Sequence, residues 1–201
     1  MTKIKLNKLN SGDILLFHQK TQCIGKCIQF FTKSKFCHVG MVLKDPIFLN
    51  KNLKGLYLLE SGYEGIPDSI NHKIKYGVQI QRLENVIEEY GHGNVYVRKL
   101  YLFNPFNNEK FKKIYNKIKN KPYDFNPLDW IEGELKIKCR IGGDTDKTFW
   151  CSALLGYVYL KMGFIKKPTH WSLLTPEDWN SKERKIRVNK SHLSREFILD
   201  F

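Results

Sequence analysis

The chain has 201 residues, 42% of them hydrophobic and 13% aromatic, which suits one domain with a sizeable core and excludes a disordered chain. Its 34 Lys and Arg against 20 Asp and Glu give a formal net charge of +14, which favours anionic partners. No apolar run approaches the ~18 residues of a membrane span, and the polar residues 1–8 do not resemble a secretory signal. We therefore expect a cytoplasmic protein.

The positive charge is spread along the chain and is densest in 110–121 and 182–190. No helix-turn-helix, zinc-finger or ribonucleoprotein motif accompanies it, so no specific nucleic-acid partner is expected. We interpret the lysines as a solvated basic surface. Peripheral association with an anionic membrane surface is the next interpretation.

Strands are predicted wherever short apolar or alternating segments lie between turn residues. The predicted strands cover 14–17, 37–43, 56–60, 77–83 and 94–100, with a last one within 185–188. Mixed with helices in one domain spanning 1–201, they predict an α+β fold.

Helical spacing appears in three further places. Residues 23–31 predict a short helix, and 109–120 predict an amphipathic helix with lysines on its outer face. Thr175 and Pro176 predict one more helical turn, as N-cap and first helical residue. Residues 126–148 have weak periodicity and a Gly-Gly-Asp turn, which predict an insertion or lid.

The cysteines indicate a reducing compartment with free thiols, because their number is odd and a chain of this size needs no disulfides. They are Cys23, Cys27, Cys37, Cys139 and Cys151. Cys23 and Cys27 are separated by three residues, but no second ligand pair follows at a spacing typical of zinc. We predict neither a metal nor a cofactor.

Cys151 begins an apolar stretch with helical spacing that Gly163 ends. At a helix N-terminus the macrodipole and the free backbone N–H groups favour a thiolate over a thiol. A thiolate is a strong nucleophile. The alternative is a buried, inert cysteine within a core helix.

A thiolate nucleophile needs a base, and histidine suits this role at neutral pH. His38 begins a predicted buried strand, and Glu60 ends the next one. If these strands pair antiparallel, both side chains reach the same edge of the sheet, where the carboxylate orients the imidazole and favours its charged form. The alternatives are a satisfied buried histidine and a solvated glutamate at a strand end.

Six segments in order resemble a known family. They are Gly-Asp at 12–13, His-Val-Gly at 38–40, Leu-Glu-Ser-Gly at 59–62, Pro-Tyr-Asp at 122–124, Trp-Cys-Ser-Ala-Leu at 150–154 and Thr-Pro-Glu-Asp at 175–178. With these segments the chain resembles the circularly permuted NlpC/P60 papain-like superfamily, most closely its YiiX-like branch. Histidine ahead of cysteine is the mark of the permuted branch.

The resemblance implies a papain-like fold, with a small antiparallel sheet or barrel packed against the Cys151 helix. It implies that Cys151 is the nucleophile, His38 the general base and then acid, and Glu60 the orienting residue. Tyr123 matches a tyrosine near the oxyanion, and its alternative is a core aromatic. Trp150, beside the nucleophile, is a further candidate for the oxyanion or substrate site. The long stretch between Tyr123 and Cys151 departs from the family pattern.

The activity implied is that of a cysteine hydrolase or acyltransferase, acting on an amide or ester through a thioester. Its substrate would be a peptide, an isopeptide or a lipid. The sequence does not determine whether water or another group accepts the acyl group. One rival is a non-catalytic binding module on the same fold. The other is a basic nucleic-acid-binding protein, whose binding would be steeply salt-dependent.

Overall fold

The computed structural model describes residues 2–18, 35–63, 65–124, 147–166, 170–183 and 186–201. The predicted helix at 23–31 and nearly all of the predicted insertion at 126–148 lie outside these residues. The strands are β1 Lys3–Lys5, β2 Ile14–His18, β3 Phe36–Lys44, β4 Leu56–Gly62, β5 Gly77–Arg82, β6 Val95–Leu102 and β7 Ser191–Asp200. The α-helices are α1 Leu83–Tyr90, α2 Asn108–Ile118 and α3 Cys151–Met162.

All seven strands form one sheet, in the order β1-β7-β6-β2-β3-β4-β5. Every neighbouring pair is antiparallel except β1 and β7, which are parallel. The α+β class is confirmed, but the sheet is larger than the small one predicted. The additional strands are β1, which has only three residues, and β7, whose apolar residues do not alternate with polar ones.

The last predicted strand lies too early in the chain. Val188 makes only an isolated bridge to Ile165, and the strand itself is β7, which begins at Ser191. Helix α1 is not among the predicted helices, although Leu83, Val86, Ile87 and Tyr90 are its buried residues. Their spacing is that of one helical face. The sequence pattern did not predict this helix, because the alternating pattern of the preceding strand continues as far as Leu83.

The two faces of the sheet pack against different helices. One face packs against α2 and α3, with Val39, Met41 and Leu59 among its buried residues. The other face packs against α1 through residues such as Val42 and Leu58. The buried side of α2 consists of Phe111, Ile114, Tyr115 and Ile118, as predicted. Within the described residues, no helix combines the length and the apolar character needed to cross a membrane.

The Gly12-Asp13 turn holds the middle of this fold together. The fully buried Asp13 carboxylate accepts hydrogen bonds from the backbone N–H of Asn10 at 2.7 Å and of Leu100 at 2.9 Å, and from the Lys99 ammonium. The Tyr159 hydroxyl of α3 donates to the Gly12 carbonyl. The turn therefore ties β2 to β6 and fixes α3 over the sheet.

Gly77 allows the segment that leads to Tyr123 to run against the start of β5. Its φ is +135°, and a Cβ placed there would lie 2.4 Å from the Lys121 carbonyl oxygen and 2.8 Å from the Pro122 Cα. Both contacts are with backbone atoms, which cannot rotate away. The close approach therefore requires glycine.

We expect Gly77→Ala to lower the free energy of unfolding by about 2–4 kcal/mol, because it adds steric overlap to backbone strain. Gly93→Ala is the matched control, since Gly93 also has a positive φ of +82° but nothing lies within 4 Å of a methyl group added there. We expect that control to lose only about 1 kcal/mol. Urea denaturation of both variants measures the difference, and equal losses would show that the close approach is unimportant.

Candidate active site

Cys151 is the first residue of α3, as predicted, and Gly163 ends the helix with a left-handed φ of 85°. The first backbone bond of the helix runs from the Leu154 N–H to the Trp150 carbonyl at 3.0 Å. The N–H groups of Cys151 and Ser152 therefore donate no hydrogen bond within the helix. They supply hydrogen-bond donors and positive potential beside the thiol.

The residues on either side of Cys151 are bound to one carbonyl. The Trp150 indole N–H donates to the Leu174 oxygen at 3.0 Å, and the Ser152 hydroxyl donates to the same oxygen at 2.5 Å. The next residue, Thr175, begins a short 3-10 turn in which Asp178 accepts from the Thr175 N–H at 2.9 Å. The indole N–H of Trp150 is thus engaged in holding the start of α3.

A second contact holds the chain just before the helix. The buried Ser61 hydroxyl of β4 donates to the Phe149 carbonyl at 2.6 Å. Tyr123 pairs with Phe149 in a short parallel bridge and is 9% exposed within the main core. The structure therefore brings Tyr123 to the chain segment that precedes Cys151. The roles of Ser61 and Leu174 could not be predicted from the sequence, because their contacts span long stretches of the chain.

His38 and Glu60 are brought together by the antiparallel pairing of β3 and β4. The His38 Nε2 lies 2.6 Å from the Glu60 Oε2, and both residues are buried, with Glu60 fully so. In the pairing with β2, Phe17 is opposite His38 but His18 is opposite Phe36, which leaves Cys37 as an extra residue. Such a bulge re-aims the neighbouring side chain.

Cys151 lies close enough to the His38 ring to act on it through charge and hydrogen bonding. Burial lowers the pKa of His38, but the neighbouring Cys151 and Glu60 outweigh it and raise that pKa well above its ordinary value of 6.5. Because Nε2 faces Glu60, Nδ1 is the ring nitrogen left for the thiol. An imidazolium that persists at neutral pH is suited to pair with a thiolate.

The arrangement has the order that nucleophilic catalysis requires. A thiol contacts an imidazole, and a buried carboxylate fixes the other side of that ring. The helix N-terminus beside the thiol provides N–H donors of the kind that stabilise an oxyanion. Within the described residues, no group of three or more His, Cys, Asp and Glu side chains could hold a metal ion. Cys23, Cys27 and Cys139 lie outside those residues.

We expect Glu60→Gln to lower the pKa of His38, because the variant removes a buried negative charge that favours the imidazolium. Titration of the imidazole by NMR measures this directly. A raised pKa stabilises the fold fully below about pH 6.5, and this stabilisation is lost as the pH rises through the folded value. The stability difference between wild type and variant should therefore be largest in acid and should shrink with rising pH.

Glu84→Gln is the control for this variant, because Glu84 is an exposed glutamate that pairs only with Arg82 at 3.2 Å among the described ion pairs. It should leave the His38 titration unchanged. If Glu60→Gln also leaves it unchanged, the carboxylate does not govern the charge of the imidazole.

Comparison with known proteins finds similarity at the level of structure. No family model matches the chain, and no curated protein matches it in sequence. Among solved structures, the chain is similar to the metalloprotein YiiX from Escherichia coli O157:H7, with 19% sequence identity and a TM-score of 0.50. The match covers 94% of this chain and 98% of YiiX. The chain therefore shares its overall fold with YiiX, in agreement with the YiiX-like resemblance of its sequence.

Proposed function

We propose that the protein is a papain-like cysteine hydrolase or acyltransferase of the permuted NlpC/P60 type, acting on amide or ester bonds. The observation that carries this proposal is the continuous line of contacts from Cys151 through His38 to the buried Glu60. Each of the two ring nitrogens of a buried histidine needs a hydrogen-bond partner. Here it has a nucleophile on one side and a carboxylate on the other.

In the proposed reaction the Cys151 thiolate attacks the carbonyl carbon of the substrate. The carbonyl oxygen becomes an oxyanion, which the backbone N–H of Cys151 stabilises. The intermediate collapses to a thioester as the leaving amine or alcohol takes a proton from His38. His38 then removes a proton from water or another acceptor, which attacks the thioester and frees the thiol. Glu60 keeps the ring oriented throughout.

The test of this proposal is alkylation of Cys151 by iodoacetamide, measured site by site with mass spectrometry between about pH 5 and 9. We expect rapid labelling of Cys151 well below pH 8, because the imidazolium stabilises the thiolate. His38→Ala should slow labelling at pH 6 by at least about tenfold. Cys151→Ala should abolish turnover of amide and ester substrates and leave the protein folded.

Cys37 serves as the control within the same molecule. Its exposure of 5% is close to the 3% of Cys151, and its thiol donates to the Phe17 carbonyl at 3.4 Å. A faster reaction at Cys151 therefore reports activation and not accessibility. Slow labelling of both cysteines, unaffected by His38, would contradict catalysis and favour a binding module on the same fold.

The basic surface bears on the substrate. Helix α2 buries its apolar residues and leaves Lys112, Lys113 and Lys117 exposed. Exposed lysines on one helical face attract anionic surfaces. We propose that they bring the enzyme to an anionic membrane or to an acidic protein. There the enzyme cleaves an ester or amide of a lipid, a peptide bond or an isopeptide bond, or transfers its acyl group.

Vesicle binding separates these two substrate classes. If the substrate is a lipid, the protein should bind vesicles containing phosphatidylserine, and raising the salt from about 0.05 to 0.5 M should weaken binding. These concentrations are about those that change the Debye length from beyond 10 Å to a few Å. Replacing Lys112, Lys113 and Lys117 by Gln should weaken binding by about tenfold, at ~1 kcal/mol or less for each charge.

The control replaces Lys3, Lys5 and Lys8 by Gln, which removes the same charge from exposed residues in and just after β1, where Ile4 and Leu6 pack on the face of the sheet opposite α2. It should bind nearly as well as the wild type. Equal losses in both variants would indicate net charge without a specific surface. Absence of binding to anionic vesicles would favour an acidic peptide as the substrate.

A further inference from the structure

We propose that Gln79 is a positioning residue that holds the Glu60 carboxylate against His38. This inference rests on the proposed function. Gln79 lies directly opposite Glu60 in the pairing of β4 and β5, and it is 1% exposed. Its Nε2 donates to the Glu60 Oε1 at 3.1 Å. The line of contacts from Cys151 therefore continues past Glu60 to a fourth side chain.

The carboxylate is held at both of its oxygens. His38 contacts Oε2, and Gln79 donates to Oε1. A fully buried carboxylate without hydrogen-bond donors takes up a proton, whereas donors favour the charged form. Two donors in different directions also fix the rotation of the carboxylate. Gln79 thus helps to fix the orientation of the carboxylate that faces the imidazole.

The orientation of the Gln79 amide leaves one buried polar atom unpaired. Among the described residues the Gln79 Oε1 is buried and has no hydrogen-bond partner. Rotating the amide by half a turn would bring that oxygen against the negatively charged Glu60 and remove its donor. The N–H therefore faces the carboxylate, and the oxygen is left unpaired. An unsatisfied buried acceptor is unfavourable for stability, and at Gln79 it accompanies the donation of the amide N–H to Glu60.

Gln81 provides a matched control in the same strand. It lies two residues further along β5, so its side chain projects to the same face of the sheet as that of Gln79. It is also fully buried and has an unpaired Oε1 within the described part of the chain, but its Nε2 donates to the Ile66 carbonyl at 2.7 Å. The two glutamines share burial, chemistry and an orphan oxygen, and differ in whether they contact Glu60.

The experiment compares Gln79→Met with Gln81→Met in the full chain. It measures the Cys151 alkylation rate at pH 6, the His38 titration by NMR and the urea unfolding midpoint. We expect Gln79→Met to lower the pKa of His38 and to slow labelling by about three- to tenfold, as loss of a hydrogen bond to a charged group implies. Gln81→Met should change the labelling rate by less than about twofold while altering stability to a similar extent.

A third variant, Gln79→Glu, keeps the position testable if Gln79→Met does not fold. Two adjacent buried carboxyl groups share one proton, and that proton can take the place of the amide N–H in a bond to Glu60. The labelling rate and the His38 titration should therefore stay closer to wild type in Gln79→Glu than in Gln79→Met.

Two results would overturn the inference. One is a Gln79→Met protein whose labelling rate and His38 titration match the wild type. The other is an equal effect of Gln79→Met and Gln81→Met, which would indicate packing alone. Either result would leave the proposed function standing if wild-type labelling depends on His38. If it does not, the proposed function fails, and the His38 titration still reports whether Gln79 acts on Glu60.

Discussion

The contact between His38 and Glu60 is the interaction on which the rest of the site depends. It places a charged pair in a buried region, where an isolated charge would be strongly unfavourable. Each group is therefore acceptable only beside the other, and the pairing of β3 and β4 must bring them together. A bulge at Cys37 lies directly beside His38, and the amide of Gln79 donates to Glu60.

Cys151 is positioned by a separate part of the molecule. Ser61 of β4 holds the Phe149 carbonyl, and the Leu174 carbonyl holds the side chains of Trp150 and Ser152. The Gly12-Asp13 turn then fixes the far part of α3 through Tyr159. Gly12 and Leu174 therefore help to set the position of the helix that carries Cys151.

Local patterns in the sequence predicted most of the strands and two of the helices. Strands β2 to β6, helix α2 and the start of α3 follow from apolar spacing, and the antiparallel approach of His38 and Glu60 follows from strand ends. The rest depends on contacts distant in sequence. Gln79 alternates like any strand residue, and nothing in its neighbours indicates that it faces Glu60. Strand β7 is only half buried along its length, so it lacks the apolar pattern that identified the other strands.

The two outer strands of the sheet limit how a peptide could approach the site. Strand β1 pairs with only three residues of β7 and exposes Lys3 and Lys5. Along β5, the Val78 N–H donates to the Lys121 carbonyl at 3.0 Å, and the Ile80 N–H and carbonyl are bound by residues 68 and 69. Short, charged or covered edges do not accept an added strand. An extended peptide could therefore not add a strand along the covered residues 78–80 of β5, and its recognition there would depend on side chains.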